Sequence, residues 1–214
     1  MKLKLYGYWR SSATWRVKWA FELKKVSYEY IPVNILKAEH RSVEHLARNP
    51  MGALPVLEIA PSVFMSQSMS ILFWIEETFN SEVSLFGSVH ANRYKIIELC
   101  ELINADIAPL QTPRVQKMHS SEDVKKLEWA QHFIRSGFAA YEKNMESLQT
   151  TGPYSLGEEL TAADMFLVPQ VYNAYRYKID VAAEFPRIDK IYKHCILDGA
   201  CSKCLPEKQS DAVV

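Results

Sequence analysis

A chain of 214 residues can bury one large core or two small ones, and its composition, 48% hydrophobic and 23% charged, is that of an ordinary folded protein. Basic and acidic residues balance at 25 each, which argues against nucleic acid or an anionic membrane as partner and favours a small ligand met by local charge. No stretch approaches the length needed to span a bilayer. No secretory leader pattern opens the chain, and four cysteines (Cys100, Cys195, Cys201, Cys204) suit a reducing compartment, so the expected location is cytoplasmic.

In chain order, the pattern predicts a strand over Lys2–Tyr6, a helix over Thr14–Lys24 and an aromatic, β-branched strand over Tyr28–Val33. A short helix is expected over His40–Ala47, ending ahead of Asn49-Pro50. A hairpin follows, Leu54–Ile59 with Val63–Met65, and then a helix over Ser68–Phe79. A β-α-β lobe followed by β-β-α is the order of a thioredoxin-like domain, placed at residues 1–80. Asn80–Ser88 reads as a polar linker. From residue 88 to 214 the pattern is helical: Ala91–Leu110, kinked at Pro109, then Val124–Leu148 and Met165–Tyr177. The expected class is therefore α/β plus all-α. Thr161 with Asp164 three residues on is a capping-box variant with a structural role. The polar tail after Pro206 is expected to fray.

Chemistry concentrates where strands give way to helices. Ser11 and Ser12 stand at the first such junction, where free N–H groups and the positive end of the helix dipole favour an anion. Simple capping by the same serines is the competing reading. Ser66-Gln67-Ser68 forms a second junction, again an anion site or a cap. Leu54-Pro55 leads into a strand; a cis bond there would expose the backbone of Leu54 to an extended peptide, whereas an ordinary turn proline would not. Arg176, among Tyr172, Tyr175 and Tyr177, is a surface residue or a carboxylate ligand. Cys201-Ser202-Lys203-Cys204 lacks the second pair a structural zinc site needs, so no metal is expected and the thiols are read as free and solvent-accessible.

These residues together resemble the glutathione transferase superfamily and, within it, the zeta class, over nearly the whole chain. Ser11-Ser12-Ala13-Thr14-Trp15-Arg16-Val17 is similar to the class signature Ser-Ser-Cys-x-Trp-Arg-Val. Asn49-Pro50-Met51 through Leu54-Pro55, Gln67-Ser68, Pro109-Leu110-Gln111, Trp129-Ala130-Gln131 and Leu167 to Val171 match in order and spacing. The resemblance implies glutathione as cofactor and an enzyme of the maleylacetoacetate isomerase type, acting on dicarboxylic substrates in tyrosine and phenylalanine catabolism. Conjugation or dehalogenation of small electrophiles, and a non-catalytic binding module, are the alternatives. It implies Ser11 as thiol activator with Ser12 beside it, and Tyr6 and Tyr8 as rivals because other classes use an N-terminal tyrosine. Leu54 and Pro55 would hold the cysteinyl unit, Gln67 and Ser68 the γ-glutamyl end, and His40 the glycyl carboxylate. Arg10, Arg176 and Gln111 fall on the substrate side. A homodimer is implied as well. Two positions depart from the pattern: Ala13 stands for the signature cysteine, and Ala108 for a polar residue that reaches towards the ligand.

Overall fold

The computed structural model describes residues 3–87, 90–149 and 151–213. It divides into two compact units, one of Met1–Leu85 with Asp198–Val214 and one of Phe86–Leu197. The helical domain expected over 88–214 thus gives up its last segment to the N-terminal unit. Lys2, Ser88 and Val214, the ends of expected segments, lie outside the described residues.

In the first unit β1 (Leu3–Gly7), β2 (Tyr28–Pro32), β3 (Val56–Ala60) and β4 (Val63–Ser66) form a sheet in the order β2-β1-β3-β4. β1 and β2 are parallel, joined by α1 (Ser12–Leu23); β3 runs antiparallel to both β1 and β4. Leu5, Val56 and Leu57 are buried in the sheet, and α1 buries Trp15, Val17, Trp19, Ala20 and Phe21. The helix expected over His40–Ala47 divides into a 3-10 turn, Glu39–Arg41, and α2 (Val43–Arg48), where the Ser42 hydroxyl caps the new start by accepting from the His45 N–H at 3.1 Å. α3 (Ser68–Thr78) buries Ile71, Leu72 and Ile75 and packs on α1. The polar linker expected after it is tied down instead. Glu76 accepts from the Leu85 N–H at 3.1 Å and pairs with Lys24 at 2.6 Å, and Leu85 is buried.

The second unit holds α4 (His90–Asn104), α5 (Pro113–His119), α6 (Asp123–Ser147), α7 (Ala162–Arg176), α8 (Val181–Glu184) and α9 (Pro186–Cys195). α7 is its centre, buried from Ala162 to Val171 and packed on α4, α8 and α9. The capping box forms as expected: the Thr161 N–H donates to Asp164 at 2.9 Å, and the same buried carboxylate takes the Ser155 N–H at 2.7 Å. Pro109 does not kink a helix. α4 stops at Asn104, Pro109 lies in the turn beyond it, and Pro113 opens α5 at a first-turn position that needs no N–H.

The first unit is completed by α10 (Gly199–Lys203), which packs on α1, and by the tail. Two expectations are corrected here. Cys201 and Cys204 are buried, and burial pushes the Cys204 thiol up to about 12 and the Cys201 thiol still higher. The tail is bound, not frayed: Gln209 accepts from Lys18 Nζ at 2.6 Å, and Asp211 accepts from the Trp9 N–H at 2.9 Å and the Tyr30 hydroxyl at 3.0 Å.

Lys18 is 3% exposed, its ammonium 3.2 Å from the Tyr30 ring centroid. Burial lowers its pKa from 10.5 to about 8, against the pull of Asp211. Between those values the unfolded chain holds a proton that the folded chain has lost, so stability rises with pH across that window. Lys18→Met should stabilise the fold by about 1–2 kcal/mol at pH 7, with the advantage shrinking as pH climbs from 8 towards 10. Urea unfolding at pH 7 and pH 10 measures both; an advantage that grows with pH would show that the ammonium is not destabilised by burial.

Candidate functional site

The sheet register gathers four segments at one end of the first unit. Gly7 pairs with Pro32, Tyr6 with Val56, and Val56 with Ser66. The ends of β1, β2 and β4 therefore share an edge with the start of β3. From that edge leave the turn to Ser11, the loop to His40, the Leu54-Pro55 segment and the Gln67-Ser68 junction.

β1 ends at Gly7 because the chain must pass close to α1 and β2. A Cβ there would lie 2.4 Å from Thr14 Cγ2 and 2.9 Å from Tyr30 Cε2. A turn follows, closed by the Ser11 N–H donating to the Tyr8 carbonyl at 3.0 Å. Ser11 is the N-cap of α1: its backbone is extended and its hydroxyl oxygen accepts from the Thr14 N–H at 3.2 Å. Accepting that bond leaves the hydroxyl proton to donate elsewhere. Ser12 opens the helix, and no acidic residue occupies the first turn. Arg10 lies in the turn with its guanidinium 5.2 Å from the Trp9 ring centroid.

The Leu54-Pro55 peptide is cis, and Leu54 stands ahead of the β3 ladder. The residue before it is held by two side chains that sequence reading did not single out. His45 Nε2–H donates to the Ala53 carbonyl at 3.2 Å and Asn49 Nδ2 donates to the same oxygen at 3.0 Å. Asn49 Oδ1 in turn accepts from the Met51 N–H at 3.1 Å, an Asx turn that Gly52 completes at φ +59°, where a Cβ would sit 2.9 Å from the His40 carbonyl. The signal was present in His45-x-x-x-Asn49, one helical turn apart, but only the fold supplies their shared acceptor.

Gln67 is exposed and sits at φ 73°, ψ 115°, a backbone conformation that a side chain other than glycine's adopts at a cost of about 1–3 kcal/mol. Ser68 is buried, and its hydroxyl accepts from Nη1 of the buried Arg16 at 3.1 Å. The α3 N-terminus, like that of α1, has no acidic residue in its first turn. His40 is half-buried in the 3-10 turn. Burial, then Arg41 and His45, lower its pKa, which favours the neutral imidazole in the ligand-free chain.

Gln111 and Arg176 belong to the second unit. Gln111 is buried, and its amide exchanges two hydrogen bonds with that of Gln170, at 2.7 and 2.9 Å, while its carbonyl takes the Tyr177 hydroxyl and Gln116 Nε2 at 2.8 Å each. Gln111, expected on the substrate side, ties the turn after α4 to α7 in this structure. Arg176 ends α7, is exposed, and donates to Asn173 at 3.2 Å.

The family description "Glutathione S-transferase, N-terminal domain" matches residues 1–77. The chain is 37% identical to maleylacetoacetate isomerase of Dictyostelium discoideum, covering 99% of this chain and 96% of that one. It is 34% identical to a zeta-class glutathione S-transferase of Euphorbia esula, covering 99% and 93%. The chain belongs to the glutathione transferase superfamily, zeta class. Among solved structures, a bacterial maleyl pyruvate isomerase of the zeta class aligns at TM-score 0.92 with 31% identity, over 98% of this chain and 100% of that one. A maleylacetoacetate isomerase from Anaeromyxobacter dehalogenans with GSH bound in its active site aligns at TM-score 0.87 with 36% identity, over 99% and 98%.

The residues at the sheet edge fit the tripeptide glutathione, which carries a carboxylate at each end and a thiol between. Two helix N-termini without acidic neighbours suit anions, Leu54 offers backbone outside the ladder, and the Ser11 proton is left to donate. The strain at Gln67 yields a way to separate fold from ligand. Gln67→Gly should stabilise the protein by about 1 kcal/mol while weakening glutathione binding, whereas Gln67→Ala should weaken binding without stabilising. Thermal melts and titration calorimetry distinguish these; equal melting temperatures for the two variants would mean that the backbone at residue 67 is not strained.

Proposed function

We propose that this chain is a glutathione-dependent cis–trans isomerase of maleylacetoacetate-type dicarboxylic substrates, and that Ser11 is the group that meets the glutathione thiol. The Ser11 hydroxyl carries the reading: it accepts from the Thr14 N–H and so presents its own proton, at a helix N-terminus free of acidic residues. Of the rival phenols Tyr6 is already engaged, whereas the buried Tyr8 hydroxyl has no hydrogen-bond partner among the described residues. Tyr6 is 5% exposed and donates to Glu58 at 3.0 Å, and Tyr8 is 3% exposed.

Glutathione, when bound, supplies a thiol whose anion adds reversibly to a conjugated cis double bond and allows it to rotate. The protein has to favour that anion. Lowering a thiol pKa from about 8.5 by about two units takes about 2.7 kcal/mol. A hydrogen bond to a charged group contributes about 1.5–3 kcal/mol and a helix N-terminus about 0.3–1 kcal/mol, so the Ser11 hydroxyl and the α1 N-terminus together reach that figure. Leu54, Gln67 and Ser68 hold the peptide, with His40 a donor towards its glycyl end. Arg10 and Arg176 each offer a guanidinium suited to a substrate carboxylate.

We also infer a homodimer working in the cytoplasm. The superfamily's habit of pairing supports the first, and four buried cysteines outside any disulfide support the second. Among the described residues no helix is long and apolar enough to cross a membrane. A single monomeric boundary in sedimentation at micromolar concentration would remove the dimer.

Ser11→Ala should abolish most glutathione-dependent turnover while leaving the glutathione dissociation constant within about threefold, since the peptide is held mainly by Leu54, Gln67 and Ser68. Loss of turnover in Tyr6→Phe or Tyr8→Phe, with Ser11→Ala active, would assign the thiol to a phenol. Arg176→Ala should cost about one to two decades in kcat/KM for maleylacetone and much less for an uncharged aromatic electrophile, the loss of one charge-assisted contact. Equal losses on both substrates would favour general conjugation over isomerisation.

A further inference from the structure

The turn from β1 to α1 leaves a hydrogen-bonding debt that is met from the far end of the chain. Tyr8 to Ser11 is a four-residue turn, closed by the Ser11 N–H on the Tyr8 carbonyl. Such a closure uses the last N–H of the turn and leaves the second, that of Trp9, without a partner in the turn itself. Trp9 is half-buried, so this donor needs an acceptor. The acceptor is the Asp211 carboxylate, at 2.9 Å and 202 positions away in sequence. The same oxygen accepts from the Tyr30 hydroxyl at 3.0 Å.

The tail that carries Asp211 is itself fixed. Gln209 Oε1 accepts from Lys18 Nζ at 2.6 Å, and Gln209 Nε2 donates to the carbonyls of Lys203 and Leu205 at 2.9 Å. The Ala212 N–H donates to the Gln209 carbonyl at 3.0 Å. Asp211 is therefore held from β2, from α1 through Lys18 and by its own segment. The turn is held by Asp211.

We propose that Asp211 is a positioning residue for the Ser11 hydroxyl. By fixing the Trp9 N–H it fixes the turn whose last residue is the N-cap, and so the direction in which the Ser11 proton is presented to the thiol. The inference rests on the reading of Ser11 as thiol activator. A hydroxyl displaced by a fraction of an ångström keeps the fold but loses the short, linear geometry that a charge-assisted bond requires.

The test compares Asp211→Ala with Asp211→Asn, which keeps an acceptor oxygen, and with Lys203→Ala, which cuts the 3.0 Å ion pair of α10 to Glu22 without touching the turn. In the ligand-free protein, Asp211→Ala should speed hydrogen exchange of the Trp9 amide tenfold or more. In the glutathione complex it should raise the bound thiol's pKa, followed by thiolate absorbance, by half a unit or more, with glutathione affinity changed less than threefold. Asp211→Asn and Lys203→Ala should behave like the unaltered chain in all three measurements. If Asp211→Ala does not fold, Asp211→Ser, whose side chain is too short to reach Trp9, carries the same expectation. Faster exchange with an unchanged thiol pKa would reduce Asp211 to a structural tie, and unchanged exchange would remove the bond itself. An Asp211→Asn variant as impaired as Asp211→Ala would replace positioning with a charge effect. Failure of the unaltered chain to bind glutathione would overturn the reading of the site, and this proposal with it, independently of the exchange result.

Discussion

Running β3 against β1 is the constraint from which the site follows. In a parallel pair, strand ends lie beside strand ends, and the segments leaving β1 and β2 emerge together by necessity. An antiparallel third strand brings a strand's start to the same end of the sheet, so the segment carrying Leu54, which precedes a ladder, and the one leading to Ser11, which follows one, leave from that end together. β4, antiparallel again, returns its end there with Gln67 and Ser68. Had β3 been parallel to β1, Leu54 would leave from the opposite end of the sheet. Side-chain identity at these positions has meaning only within that register.

The same arrangement suits anions in a chain whose 25 basic and 25 acidic residues balance. Apart from Arg10, the groups at the edge are mostly neutral: three serine hydroxyls, a glutamine, a histidine whose pKa burial lowers, and backbone at two helix starts. Helix termini supply fixed partial charge that costs no desolvation of a full ammonium or guanidinium. The buried cations of this unit stand behind the edge. Arg16 backs Ser68, and Lys18 backs the tail. They orient polar groups, and the lowered pKa of Lys18 reflects the cost of burying such a charge.

Sequence reading succeeded where a signal is local. The strands, α1, α3 and the long helices follow from periodicity, the thioredoxin-like order follows from them, and the capping box at Thr161 and Asp164 follows from a four-residue pattern. The cis bond at Pro55 was one of two open readings, and the fold chose between them. What escaped is non-local. Gln111 was placed on the substrate side by resemblance alone; its partner Gln170, 59 positions on, is beyond any local pattern. Cys201 and Cys204 looked exposed because their neighbours are polar, yet α10 turns them inward against α1. α5, α8 and α10 carry too few turns for a period to stand out, whereas α9 does carry one, Ile188, Ile191 and Cys195 on a buried face, and was overlooked; the tail's polarity was read as solvation when it is the donor and acceptor set of a strap.

Replacing the signature cysteine by Ala13 has a chemical consequence beyond the missing group. With the cysteine, a protein thiol would lie in the first turn of α1, in the same helix-terminal field that favours an anion. Here no sulfur occupies that turn, and all four cysteines elsewhere are buried, Cys204 with its thiol pushed up to about 12. No protein thiol therefore competes for the Ser11 proton or for the dipole of α1. On the proposed role of Ser11, the thiol anion it meets belongs to the ligand, and the demand for its stabilisation falls on that hydroxyl, the α1 N-terminus and the turn between β1 and α1.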